Sequence, residues 1–168
     1  QRAAEASRQR GSAEAIADAL EQAELAYQQG DFQNAATGYQ ALAGRDDQTG
    51  ARAAAGLAWC AFELGDHAGC AAAIERALAH GHADAERCGL RELAVALAHR
   101  QQDWPRAIAA AETFLRDHGG SAAAPSVRFA LGTAAARAGD HARAGKVLGE
   151  LAAAGGHPRM DRVHYELA

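Results

Sequence analysis

Glu63-Leu64-Gly65-Asp66-His67-Ala68-Gly69-Cys70 joins two Ala-rich runs, and three relatives of it stand elsewhere in the chain: Gln29-Gly30-Asp31-Phe32, Gln101-Gln102-Asp103-Trp104 and Ala138-Gly139-Asp140-His141. The four Asp residues fall 35, 37 and 37 residues apart. A spacing of this size marks a stacked array, in which one supersecondary unit cannot bury its own apolar face and leans on its neighbours. Gly closes one helix by taking the left-handed conformation, and the Asp carboxylate then accepts hydrogen bonds from the free N–H groups that open the next. Each copy therefore predicts a tight helical hairpin. Gln102 stands where Gly is expected, and a side chain in the left-handed region costs roughly 1–2 kcal/mol. Trp104-Pro105 follows it, and Pro is at home in a first turn, so the hairpin is expected to survive with slightly altered geometry.

Aligned on the Asp, the copies separate into columns. Five residues before it stand Ala26, Ala61, Ala98 and Ala135, and four after it Ala35, Cys70, Ala107 and Ala144. Only small side chains occupy these places, as a close helix crossing requires. Tyr39, Ile74 and Leu148, eight after the Asp, and Leu42, Phe114 and Leu151, eleven after, supply a larger apolar layer, with Ala77 interrupting the second column.

With its Gly-Asp turns, an aromatic after the turn in Phe32 and Trp104, and these columns, the chain resembles the tetratricopeptide repeat family from about Ala13 onward. The resemblance implies an all-α fold, a right-handed superhelical solenoid of antiparallel helix-turn-helix units, and a protein–protein interaction role. Pro125 and Pro158 alone stand near the unit junctions where the family often places Pro. The run Phe114 to Ser121, continuing through Pro125 to Gly132, resembles members found in the bacterial envelope, such as the Tol–Pal coordinator and outer-membrane assembly lipoproteins. That implies a periplasmic or cell-envelope location.

The sequence divides into a lead-in or end of a preceding helix at 1–11, with Gly11-Ser12 offering a break and an N-cap, then four hairpins at about 12–45, 46–82, 83–120 and 121–157. Helices are expected from Ala13 to Gln29, Phe32 to Ala43, Thr49 to Leu64, His67 to His80, Asp84 to Gln101, Trp104 to His118, Ala122 to Ala138 and His141 to Ala154. Residues 158–168 read as the first helix of an incomplete fifth repeat, because Val163 to Ala168 align with Val127 to Gly132. An array that begins at Gln1 and stops in mid-unit is expected to be a piece of a longer protein.

No apolar run is long enough to span a bilayer, so no membrane insertion by this segment is expected. A net charge of −4 argues against nucleic acid as a partner. No nucleophile motif, phosphate loop or paired-carboxylate site is visible, which predicts a non-catalytic chain with no cofactor. Cys60, Cys70 and Cys88 lack metal-ligand spacing; Cys70, in the small column, and Cys60, on the helix of Trp59, read as small apolar groups, and a disulfide would require the fold to bring two of the three close. His80-Gly81-His82 has no further ligand at helical spacing beside it, so no metal site is expected.

The candidate site is a stripe on the first helix of each hairpin. Residues 14, 11, 7, 4 and 3 before each Asp return to one helical face, and in the family's superhelix the first helix lines the concave side. The partner-binding candidates on it are Tyr27, Arg52, Trp59, Phe62, Glu92, His99, Arg100, Phe129, Thr133 and Arg137, extended by Arg162 and Tyr165. Aromatic and Arg side chains commonly anchor bound peptides, although the aromatics are equally expected as packing between hairpins. Chaperone-binding members of the family clamp a terminal carboxylate with Lys and Asn on this stripe. Here those places hold Leu20, Ala55 and Phe129, or Glu24, Trp59, Ala96 and Thr133, so the sequence does not support that activity. The expected role is a scaffold that grips a protein or peptide segment in the groove. The alternatives are a spacer or self-association segment of a larger envelope protein and the regulatory arm of a larger enzyme.

Overall fold

A computed structural model describes residues 2–80 and 83–155, with side chains from residue 11 onward. The described residues form eight helices and no strand. They are α1 (Arg2–Gln28), α2 (Phe32–Leu42), α3 (Gln48–Leu64), α4 (His67–Ala79), α5 (Asp84–Arg100), α6 (Trp104–His118), α7 (Ala124–Arg137) and α8 (His141–Ala154). The chain divides into two compact units, Gln1–Ala83 and Asp84–Ala168. In the first, α1 packs on α2, α2 on α3 and α3 on α4; in the second, α5 to α8 repeat the order. The opening helices of successive hairpins also touch, α1 with α3 and α5 with α7, so each unit has a wall made of first helices.

One expected boundary moves. α1 runs 27 residues without interruption through Gly11 and Ser12, so this pair neither breaks nor caps the helix. A single Gly in a helix costs only about 1 kcal/mol relative to Ala, which flanking Ala and Glu residues outweigh. The expected fifth-repeat helix lies outside the described residues.

The four turns share one hydrogen-bond pattern. Asp31, Asp66, Asp103 and Asp140 donate their N–H to the carbonyls of Ala26, Ala61, Ala98 and Ala135, while the preceding residue donates to the next carbonyl along, as Gly65 does to Phe62. That pair of bonds is the Schellman closure. Each Asp carboxylate then accepts from the N–H three residues on, at Asn34, Gly69, Arg106 and Arg143. A cap of this kind contributes about 1 kcal/mol. The first Ala column thus takes the closing hydrogen bond and sits at the helix crossing.

Gly30, Gly65 and Gly139 have φ of 79°, 76° and 85°, and Gln102 takes the same left-handed conformation at 56°. The third turn is therefore built like the others, with a strained residue in it. Gln102→Gly is expected to raise stability by about 1 kcal/mol, read as a higher urea midpoint. An unchanged or lower midpoint would mean that the Gln side chain offsets its own strain.

Both small columns pack as their residue sizes require. Ala35, Cys70 and Ala107 are completely buried and Ala144 nearly so; Ala61, Ala98 and Ala135 are buried, and Ala26 is half-buried. Ala98 and Ala107, one from each column, share a cluster with Ala134. A third column, eight residues before the Asp, went unread in the sequence: Ala23, Ala58, Val95 and Gly132, all buried. It faces the larger layer. A Cβ at Gly132 would lie 2.6 Å from the Leu148 side chain, so Leu148 fills the space that Gly leaves. In the third hairpin the sizes reverse, and Val95 packs in a cluster with Ala111 and Phe114.

The α2–α3 linker is fastened by Asp47, which caps α3 through the Gly50 N–H and takes hydrogen bonds from Arg45. The Arg45 guanidinium, then the Gly50 N–H, hold the Asp47 carboxyl down at about 2. A depressed carboxylate stabilises the fold above its unfolded value, near 3.9, and loses that contribution as pH falls through about 2. Urea midpoints should therefore fall less steeply between about pH 4 and pH 2 in Asp47→Asn than in the unaltered chain. Identical slopes would show that solvent screening removes the effect at this exposed pair.

Candidate functional site

In the first unit the stripe forms a cavity. Tyr27 from α1, Tyr39 from α2 and Gly56 and Trp59 from α3 line a space of about 300 Å³ that opens to solvent. Its position follows from the first-helix wall, since Tyr27 and Trp59 lie on the two helices that meet there. Tyr39 is buried, and the hydroxyl-bearing end of its ring rests on the Gly56 backbone: a Cβ at residue 56 would be 2.5 Å from Tyr39 Cζ. Gly56, expensive in a helix interior, makes room for that ring.

An ion pair links the two helices that carry Tyr27 and Trp59. Arg52 Nη2 donates to Glu24 Oε1 at 2.6 Å, joining α3 to α1 with both side chains partly exposed. Burial, and after it the Glu63 carboxylate and, less, the Cys60 sulfur, raise the Tyr27 hydroxyl above its ordinary value. Tyr39 is pushed up to about 12 by burial, then by Glu24, Cys60 and Tyr27, with Arg52 acting weakly in the other direction. Both phenols therefore remain protonated at neutral pH.

Tyr27 and Phe32 meet edge to face, with ring centroids 5.3 Å apart, and His99 and Trp104 do the same at 5.7 Å. The aromatic after the turn thus braces the stripe residue four places before the Asp.

The second unit uses several stripe residues internally. His99 Nε2 lies 2.7 Å from the Ala130 carbonyl, and the Thr133 hydroxyl donates to the same oxygen at 3.0 Å. Since a carbonyl only accepts, His99 carries its proton on Nε2 and ties α5 to α7. Phe129 is half-buried and packs against Leu148 and Leu151. Glu92 lines a separate cavity of about 650 Å³ with Asp84, Cys88, Asp117, His118 and Ser121. Ser121 Oγ is buried there without a hydrogen-bond partner among the described residues. Arg100 and Arg137 are exposed, and Phe62 is half-buried. Arg162 and Tyr165 lie outside the described residues.

Cys60 and Cys70 are completely buried, Cys88 is half-buried, and none of the three forms a disulfide among the described residues. Burial pushes the Cys60 thiol up to about 11, so it packs as a small apolar group.

The turn closures, the size-matched columns and the paired first helices agree with a comparison to known families, in which the tetratricopeptide repeat profile matches residues 20–86 and 93–158. The chain belongs to the tetratricopeptide repeat family. The match covers most of its length and is to the family as a whole, without distinguishing an envelope subgroup. No curated protein matches the chain. Tetratricopeptide repeats point to a scaffold for protein–protein interaction, and none of the described helices is long and apolar enough to cross a membrane.

Tyr39 and Gly56 are the site residues that the sequence did not single out. Tyr39 belongs to the large packing column, and its phenol end reaches the cavity only because Gly56 lies beneath it. The signal was available in Gly56 itself, a Gly placed mid-helix between Ala55 and Leu57 with no turn nearby.

Proposed function

We propose that this tetratricopeptide repeat chain is a non-catalytic adaptor that holds a segment of a partner protein against the first helices of its first unit. The observation that carries the reading is the cavity between Tyr27 and Trp59. It has the size of one large side chain, near the lower end of the range for binding pockets, and Trp, Tyr and Arg are the residue types that dominate interface energetics. Arg52 and Glu24 flank it as a rim pair.

An envelope setting rests only on the resemblance carried by residues 114–132. The test of the adaptor reading is partner capture by Arg52→Ala. The Arg52–Glu24 pair is exposed enough to contribute little to stability, so helicity and melting should stay unchanged while capture weakens. Loss of folding together with capture would place Arg52 in the structural framework and remove it from the site.

A further inference from the structure

The cavity at Tyr27 and Trp59 has a counterpart on the same two helices. Ala13, Ile16 and Ala17 of α1, Thr49 of α3, and Arg45 and Asp47 of the α2–α3 linker line a second space of about 360 Å³. Ile16 and Tyr27 stand eleven residues apart, which is three turns along one helix face and about 16 Å. Thr49 and Gly56, seven apart on α3, likewise share a face. On both helices the Arg52–Glu24 pair falls between the two cavities. α1 and α3 therefore run in the same direction and form one seam, with a hollow towards each end and an ion pair between.

We propose that this seam seats an amphipathic helix of the partner segment, with large apolar side chains at i and i+11 in the two cavities and polar ones at i+4 and i+7 over the ion pair. The inference rests on the adaptor reading above and adds the conformation and spacing of the occupant. A helix rises about 1.5 Å per residue whether it lies in the wall or on it, so side chains eleven apart return to one face at the separation of the cavities. An extended segment would bring N–H and C=O groups that need partners. Between the cavities the seam carries Leu20 and Ala55, which are apolar, and Arg52 and Glu24, already bonded to each other. A helix carries its backbone hydrogen bonds with it. An apolar side chain over the middle would strip water from the ion pair, at a cost its attraction does not repay, so i+4 and i+7 are polar.

The test titrates the full chain by calorimetry with four degenerate peptide pools, blocked at both ends. The first carries leucine or phenylalanine at i and i+11 in a helix-forming background of alanine, glutamine, glutamate and lysine. The second moves the later anchor to i+9, on the opposite helix face, and the third repeats the first with a proline midway, which breaks the helix. The fourth is extended, with proline at both flanks and its anchors five residues apart, the same span in a strand. The first pool is expected to bind about tenfold more tightly than the second and third. Ala17→Glu, at an exposed position lining the second cavity, should remove that advantage without moving the urea midpoint. Equal affinity for the first two pools, or an advantage that persists in Ala17→Glu, would overturn the two-cavity spacing. Equal affinity for the first and third, or tightest binding of the fourth, would overturn the helix; in all these cases the adaptor reading stands. No binding by any pool would overturn the inference and the adaptor reading together.

Discussion

Phe114→Ala is expected to lower the unfolding free energy by about 3–5 kcal/mol, the range for removing a fully buried aromatic side chain. Phe114 has no solvent exposure and sits among Val95, Ala111, Ala124, Val127 and Leu131, with its ring 5.6 Å from that of His118. These neighbours come from α5, α6 and α7 and the start of α7 is itself held there, so the walls of the resulting hole are pinned by three helices. Collapse into the space would require the helices to shift, which their Ala contacts resist. Urea unfolding followed by helical circular dichroism measures the loss. A cost below about 1 kcal/mol would show that the cluster relaxes freely, and the size-matched columns would then not be what fixes helix separation.

Trp59→Ala is expected to weaken capture of a partner segment by about thirtyfold, or about 2 kcal/mol, as for an aromatic anchor at the centre of an interface. Trp59 is half-buried and forms one wall of the cavity against Tyr27 and Tyr39. Truncation removes one wall of the cavity and the apolar area it offers a partner. The same substitution should lower the unfolding free energy by less than Phe114→Ala does, because Trp59 keeps part of its surface in solvent in the free chain. Affinity by calorimetry and stability by urea, measured on one preparation, separate the two roles. Equal losses in folding and capture would make Trp59 a packing residue.

The repeat architecture was legible because its signals have single physical causes. A left-handed residue followed by a capping Asp closes one helix and opens another whatever surrounds it, and even Gln102 obeyed the pattern at a cost in strain. Small residues recurring in step with those turns fixed where helices cross. Gly11-Ser12 misled for the opposite reason: neither residue alone ends a helix when no left-handed turn closes behind it.

The candidate stripe was legible as a face and illegible in depth. Helical spacing put Tyr27, Trp59, His99 and Phe129 on one face of the first helices, yet only the first two line the cavity. His99 is spent on the Ala130 carbonyl and Phe129 on the α7–α8 core. Period alone does not distinguish a residue that looks outward from one that leans on the next helix. The missing information was in the partner column, where Gly56 and Tyr39 make room for each other and so hollow the surface between α1 and α3.

On the proposed adaptor role, the small columns close each hairpin and the first-helix wall of the first unit grips the partner. Amide hydrogen exchange with and without a captured segment tests it most directly. Slowed exchange on binding is expected over residues 20–28 of α1 and 52–63 of α3, with α2 and α4 little changed. Protection confined to α2 and α4, or spread evenly over the chain, would contradict it.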